Sequence, residues 1–327
     1  MMSNSENSMH RMCCSLDKKC QFSVIKRAGK YEDGVVVDYP VNFEKKGVLH
    51  QARIKAEMYR KCMSTDRMCT WRDKPQHGAY LRLLQDNSRL DVKTSLRWLG
   101  RCHLNPRTES YVCAAQEMAI FTKFHEKNIL HMDVDDRCRI CRKEQESIFH
   151  VLAGCDALAK KEYFTRHNAV CKYVHYKVLE AFSVSRGDNW YSHVSKDVIM
   201  LNHLEVIYDQ VIATDRPVGA NRPDIVVRDK GRKKVWIIDI SCPCDTNVGK
   251  KEDEKIAKYA GLKAELQRMW GADCDVVPVV IGSLGAVSVE CVGYLGRIPG
   301  APDVHMCQKI TLMESEKILR NALKRRR

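Results

Sequence analysis

Four residues of zinc-ligand type fall in order within eighteen positions: Cys138, Cys141, His150 and Cys155, spaced C-x2-C-x8-H-x4-C. A two-residue gap lets a pair of thiolates grip one ion, and tetrahedral zinc takes four such soft or borderline ligands. This stretch is therefore expected to bind one zinc ion. His150 and Cys155 are expected on or beside the next helix, packed down by Phe149, Val151, Leu152 and Leu158. Four protein ligands leave no position for water, so the expected zinc is structural. Two buried thiols and a core histidine are the competing description of the same residues.

The other thiols form no such set. The 327 residues include 16 cysteines, and the chain starts without a basic-then-apolar leader, so reduced thiols and no secretion are expected. Cys242 and Cys244 stand one residue apart, which fits zinc poorly; Cys62, Cys69, Cys102 and Cys113 are expected as small buried hydrophobes. Cys13, Cys14 and Cys20 lie in a polar stretch and read as incidental. No apolar run approaches the roughly 20 residues that span a bilayer, so no membrane partner is expected. Lys and Arg number 55 against 41 Asp and Glu, a formal net charge of +14. A pI of about 9.1 favours an acidic partner, nucleic acid foremost.

Along the chain, residues 1–135 read as a mostly helical basic region whose first part is poorly defined, with a short strand at 35–40. Pro106 followed by Thr108 and Glu109 marks a helix start. An acidic turn at 132–136 and a small polar stretch at 183–189 bound the Cys/His segment and its following helix, residues 136–185. Residues 186–327 change texture. Val198, Leu201, Leu204, Tyr208 and Val211 recur at helical spacing and predict a helix. Two β-branched runs, 224–227 and 235–240, predict a hairpin turning at Gly231. A charged amphipathic helix over 250–270, a strand over 276–281 and a last amphipathic helix follow. Helix, strands, helix, strand is the order of an α/β core.

Arg222-Pro223-Asp224 opens the first run, and Asp239 lies near the end of the second. Paired as a hairpin, the strands bring both carboxylates to one end of the sheet, where their oxygens suit a hard divalent ion such as magnesium. Such an ion polarises a phosphodiester and activates water. Strand-end aspartates are also commonly solvated or turn-forming, and that description stays open. On the following helix, about 100° per residue puts Lys255 with Ile256, Tyr259, Leu262 and Leu266. Lys258 falls toward the polar edge, within reach of Glu254. Lys255 is thus the expected cation beside the sheet; a stem lying over apolar neighbours is the alternative. Glu205, expected on the preceding helix, could add a carboxylate, but a solvated surface glutamate is the better account of it.

The order of these pieces resembles the PD-(D/E)xK nucleases, with Asp224 and Asp239 as the two acids and Ser241 where the usual lysine would follow. The fuller resemblance is to the linker, CCHC zinc knuckle and restriction-like endonuclease of site-specific non-LTR retrotransposons. It is carried by the Cys/His set, Thr214-Asp215-Arg216, Asn221-Arg222-Pro223-Asp224-Ile225-Val226 and Ile238-Asp239-Ile240. The run from Lys251 to Tyr259 and Val277-Pro278-Val279-Val280-Ile281-Gly282 with Leu284-Gly285 complete it, from Trp98 to Leu295.

The resemblance implies a restriction-endonuclease-like core of helix, three strands, helix and strand, after a helical region with the zinc knuckle. It implies Mg2+ or Mn2+ on Asp224 and Asp239, Lys255 stabilising phosphate charge, and Tyr259 orienting the site. DNA is the implied target, nicked to prime reverse transcription in the nucleus, with element RNA as a second partner. Asp133-Val134-Asp135-Asp136 lacks the flanking strands of a polymerase palm, so no reverse transcriptase is expected in this chain. A catalytically silent, domesticated or relic nucleic-acid-binding protein is the alternative. The basic turn of Lys230, Arg232, Lys233 and Lys234 and the tail 324–327 are expected phosphate contacts. A solvated charge run, or in the tail a nuclear-localisation signal, describes them equally well.

Overall fold

Five short segments rich in Val and Ile pair into one sheet in the order β1-β2-β3-β4-β5. They are β1 (Val198–Met200), β2 (Leu204–Tyr208), β3 (Ile225–Asp229), β4 (Lys234–Ser241) and β5 (Asp273–Val280). The first four run antiparallel to their neighbours, and β5 lies parallel to β4. The computed structural model describes residues 63–185 and 187–324. The expectations for Cys13, Cys14, Cys20, Cys62, the strand at 35–40 and residues 325–327 fall outside those. From Ala79 on, the chain forms one compact unit.

The helices that matter here are α1 (Ala79–Asp86), α2 (Pro106–Gln116), α3 (Phe164–Ala181), α4 (Val248–Lys258), α5 (Ala260–Trp270), α6 (Cys291–Arg297) and α7 (Val304–Lys324). α2 starts where expected. Pro106 takes the first helical position, and the Asn105 side chain accepts the Thr108 N–H at 2.9 Å. The hairpin of β3 and β4 also turns where expected, with Asp229 opposite Lys234.

Residues 198–211 are not a helix. β1 and β2 form an antiparallel pair, Val198 opposite Ile207 and Met200 opposite Glu205. Helical spacing at five apolar positions misled because β2 alternates too: Leu204 and Val206 face one side, Glu205 and Ile207 the other. The β-branched side chains of Val206 and Ile207 favour extended backbone. The observed order is therefore α3, four strands, two helices and a strand. The helix expected over 250–270 is likewise two, α4 and α5, broken at Tyr259.

Helices cover both faces of the sheet. One face, including Leu204, Val206, Ile225, Val227, Ile238, Ile240 and Val277, packs on Val170, Val174 and Val178 of α3 and on Leu295 of α6 and Ile310 of α7. The other, with Val226, Val235, Ile237 and Cys274, packs on Tyr259, Leu262 and Leu266. Ile256, expected on this packed side, is exposed. A parallel neighbour needs a long crossover, and α4 and α5 supply it between β4 and β5. β4 is consequently buried on both faces and reads as a continuous apolar run. Each aliphatic side chain fully buried there stabilises by about 1.5–3 kcal/mol. Asp239 is the acid in that run, on the same side as Val235 and Ile237 by strand alternation.

The Cys/His segment belongs to another apolar cluster. Ile148, Val151, Leu152 and Leu158 pack with Tyr80 and Leu84 of α1, Ala115 of α2 and Ile318, Leu319 and Ala322 of α7. Of the scattered thiols, Cys102 is buried as expected, whereas Cys69 and Cys113 are half-buried. Among the described residues, no helix is long and apolar enough to cross a membrane.

Candidate functional site

Asp239 is 3% exposed. A carboxylate at that depth is costly unless donors meet it. Oδ1 accepts from the Tyr259 hydroxyl at 2.6 Å, and Oδ2 accepts from Lys255 Nζ. Lys255 reaches it from α4, and the break between α4 and α5 lets Tyr259 point into the same space. Burial and the Asp239 carboxylate hold the Tyr259 hydroxyl well above its ordinary pKa, so it stays a donor. Lys258 is exposed, as the polar edge predicts, but it does not pair with Glu254. Its ammonium lies 4.5 Å from the centre of the Tyr259 ring and donates to the Tyr259 oxygen at 2.8 Å. Glu254 pairs instead with Lys251 at 2.5 Å and Lys250 at 3.9 Å.

Asp224 lies immediately before β3. Ile225 and Ile238 are the last pair of the ladder, so Asp224 and Asp239 each stand one residue beyond it. Its Oδ2 accepts the Ile240 N–H at 2.6 Å and lies 3.2 Å from His167 Nε2 of α3. Burial pushes the Asp224 carboxyl up, but His167, the Ile240 N–H and Lys255 outweigh it and hold the group below the usual aspartate range. Burial pulls His167 down, and Asp224 more than reverses this, leaving the imidazole raised. No hydrogen bond to Asp224 Oδ1 comes from the described residues. Asp224 and Asp239 thus bring carboxylates to the same end of the sheet, with both oxygens of Asp239 met by donors.

Sequence reasoning missed His167 and Cys171. The available signal was their four-residue spacing on one helix face. Burial pushes the Cys171 thiol well up. Glu205 was placed on the wrong element: it belongs to β2 and pairs with Lys230 at 2.6 Å and Arg228 at 3.1 Å. Arg228 is near the end of β3 remote from Asp224, so Glu205 is not part of the carboxylate pair. Ion pairs also occupy much of the basic turn. Arg232 lies 3.6 Å from Asp229, and Lys234 meets Asp273 at 2.5 Å and Asp275 at 2.7 Å.

Cys138, Cys141, His150 and Cys155 come together as their spacing requires, all four ligand atoms within 4.8 Å of one another. Cys138 Sγ is 4.0 Å from Cys155 Sγ, and Cys141 Sγ is 3.3 Å from His150 Nε2. Sulfurs sharing a tetrahedral zinc at about 2.3 Å stand about 3.8 Å apart, so the set could hold a metal ion such as zinc. Burial pushes the Cys141 thiol up, but the Glu144 and Lys143 N–H groups and His150 outweigh it and bring it down to about 6. Burial and the neighbouring Cys138 push Cys155 up to about 12. A dication relieves this crowding, since ligand thiols bind it deprotonated.

The surroundings brace these ligands. The Cys138 N–H donates to Glu144 at 2.7 Å, and Arg142 takes a left-handed φ of 61° to close the turn. His150 opens a wide π-type turn, His150–Gly154. The Tyr163 oxygen accepts the Cys155 N–H at 3.0 Å and its hydroxyl lies 2.9 Å from the Val151 carbonyl, tying that turn shut. Arg139, between the two leading cysteines, pairs with buried Glu146 at 2.5 Å and donates to the Leu323 carbonyl at 3.2 Å. The Cys/His segment is thereby fastened to α7. In comparisons with known proteins, no family model and no curated protein matches the chain.

Proposed function

We propose that this chain is a divalent-metal-dependent DNA endonuclease of the restriction-like type, with a zinc-stabilised Cys/His module. In this reading it corresponds to the C-terminal part of a site-specific non-LTR retrotransposon protein. The observation that carries the proposal is the meeting of Asp224, Asp239, Lys255 and Tyr259 at one end of the sheet. Ser241 occupies the usual position of the lysine, and Lys255 comes to Asp239 from the next helix instead.

Asp224 and Asp239 would hold Mg2+ or Mn2+, which when bound polarises the phosphodiester and lowers the pKa of a water. Lys255 places a positive charge where negative charge gathers on the phosphate. Tyr259 fixes the Asp239 carboxylate through Oδ1, as supporting hydrogen bonds orient ligating groups generally. Asp239 lies on β4 and Lys255 on α4, and Asp224 and Tyr259 stand at the ends of such elements, which favours precise placement over placement on long loops.

The test is nicking of supercoiled plasmid by purified protein in magnesium, compared with Asp224→Ala, Asp239→Ala and Lys255→Ala, with circular dichroism to confirm folding. Open-circle product from the wild type and its loss in all three variants are expected. Nicking by Asp239→Ala at the wild-type rate would falsify the assignment. DNA binding without nicking would favour the silent, domesticated alternative.

A further inference from the structure

Two side chains at Asp224 have no part in the nuclease reading: His167 and Cys171. We infer that His167, Cys171 and Asp224 form a second transition-metal site, of the zinc class, whose occupation competes with magnesium for Asp224. The inhibitory half of this inference rests on the nuclease reading; the metal site itself does not.

His167 and Cys171 are four residues apart on α3 and project from one face. Asp224 meets them from the sheet, and the three ligand atoms lie within 4.8 Å of one another. His167 Nε2 is 3.2 Å from Asp224 Oδ2 and 3.7 Å from Cys171 Sγ. Around tetrahedral zinc, bonds of about 2.0 Å to nitrogen and oxygen and 2.3 Å to sulfur make these edges about 3.3 and 3.5 Å. Those two separations are within a few tenths of an ångström of the edges, while Cys171 Sγ also lies 3.6 Å from His167 Nδ1, so the imidazole must turn for Nε2 to face an ion shared with the thiolate.

The second ring nitrogen sets the tautomer. His167 Nδ1 is 3.1 Å from Asn168 Oδ1, an oxygen that only accepts. A proton held on Nδ1 leaves the Nε2 lone pair of the neutral ring for a metal, the usual arrangement of ligating histidines. A mixed nitrogen, sulfur and oxygen set suits zinc or cobalt, whereas magnesium prefers oxygen alone. Three protein ligands leave a fourth position open, unlike the closed Cys/His set. The His167 and Asp224 side chains are 27% and 18% exposed, so an ion has a route in from solvent. Zinc bound through Oδ2 would hold the Asp224 carboxylate toward α3 and set a second dication against the one that its Oδ1 would help to bind.

Full-length protein equilibrated with buffered micromolar zinc should carry about two zinc ions per chain, one of them in the Cys/His set. Cys171→Ser and His167→Asn should each carry about one. Asn168→Ala, which removes only the brace, should weaken the second ion about 10–100-fold. With cobalt added after the Cys/His set is filled with zinc, sulfur-to-cobalt charge-transfer absorption should appear in wild type and be lost in Cys171→Ser. A single ion in wild type, or a second ion retained by Cys171→Ser, overturns the site. In the plasmid assay, added zinc should stop wild-type nicking and leave Cys171→Ser at its own zinc-free rate. Equal zinc inhibition of both overturns the inhibitory half. If zinc-free wild type does not nick, the nuclease reading fails, while the metal count still decides the site.

Discussion

The two clusters of metal-ligand type are built in opposite ways. Cys138, Cys141, His150 and Cys155 come from one short stretch, and their partners Glu144, Ser147 and Tyr163 are close in sequence. The carboxylate end of the sheet draws on α3, the hairpin and α4, with His167 and Lys255 far apart in the chain. The first is soft, closed and braced to α7; the second is hard, partly open and held by cations. In the proposed reading, one keeps an ion and the other admits one. Removing metal should therefore cost the first region its fold and the second only its chemistry.

That contrast gives the largest expected effect. Structural zinc contributes about 10–16 kcal/mol of apparent binding energy in small zinc modules. Chelation, or Cys138→Ser, should lower the thermal unfolding midpoint sharply and expose the amides of residues 148–158 to hydrogen exchange. Omitting magnesium should change neither. If the zinc-free protein melts at the same temperature as wild type, the two regions do not differ as described.

Next in size is the ion pair that fastens the Cys/His segment. Arg139 and Glu146 are nearly buried, and removing one partner of such a pair costs about 3–5 kcal/mol. Glu146→Gln should show that loss in urea unfolding at neutral pH. Burial pushes the Glu146 carboxyl up, but Arg139 and the Arg139 and Lys123 N–H groups outweigh it and hold the group below the usual glutamate range. Folded protein thus binds this proton more weakly than unfolded chain. The stabilisation is complete above the ordinary glutamate pKa and disappears as pH falls through the depressed one. Glu146→Gln should flatten that acid limb; an unchanged pH profile would assign the limb to other acids.

At the sheet end the effects are on rate. Lys255→Ala should lower nicking about 10²–10³-fold, the usual effect of removing one preorganised charge donor. Lys251→Ala, whose partner is Glu254, should stay near wild type. Tyr259→Phe leaves Asp239 short of one donor in a buried place, at a cost of about 1–3 kcal/mol in stability. It should also raise the magnesium needed for half-maximal rate. Equal, mild losses at 251 and 255 would reduce both lysines to surface charge.

The same contrast explains what the sequence discloses. A ligand set confined to eighteen residues leaves its spacing in plain view, so Cys138 to Cys155 could be read directly. The β3–β4 hairpin was also legible, since β-branched runs flanking a glycine turn are local signals. Asp224, Asp239 and Lys255 could be proposed, but their meeting depends on a register and a crossover that no local pattern states. His167 and Cys171 look like ordinary members of an amphipathic helix until the sheet brings Asp224 to them. The β1–β2 pair failed for a related reason. Five apolar residues satisfied helical spacing, while the sheet's edge supplied the hydrogen bonds that settled the outcome. Arg139 and Tyr163 carry no periodic signal at all.

Glu205 gives the smallest and most discriminating effect. Both it and Asp239 are nearly buried carboxylates on neighbouring parts of one sheet, each paired with cations. Position separates them. Glu205 faces Arg228 and Lys230 at the hairpin end, where its partners are part-exposed and water screens the pair. Its part-exposed partners bring the pair toward the surface range of about 0–1 kcal/mol, so Glu205→Gln should lower the unfolding midpoint less than Glu146→Gln and should leave nicking intact. Its effect should appear in binding instead. Released from Glu205, Arg228 and Lys230 become available to phosphate, and each new contact steepens the salt dependence of affinity by about one counterion. Fluorescence anisotropy with a short duplex at several salt concentrations should show tighter binding at low salt and a steeper slope. A loss of nicking as deep as that of Asp239→Ala would instead put the working carboxylates at the hairpin end and dissolve the distinction between the two.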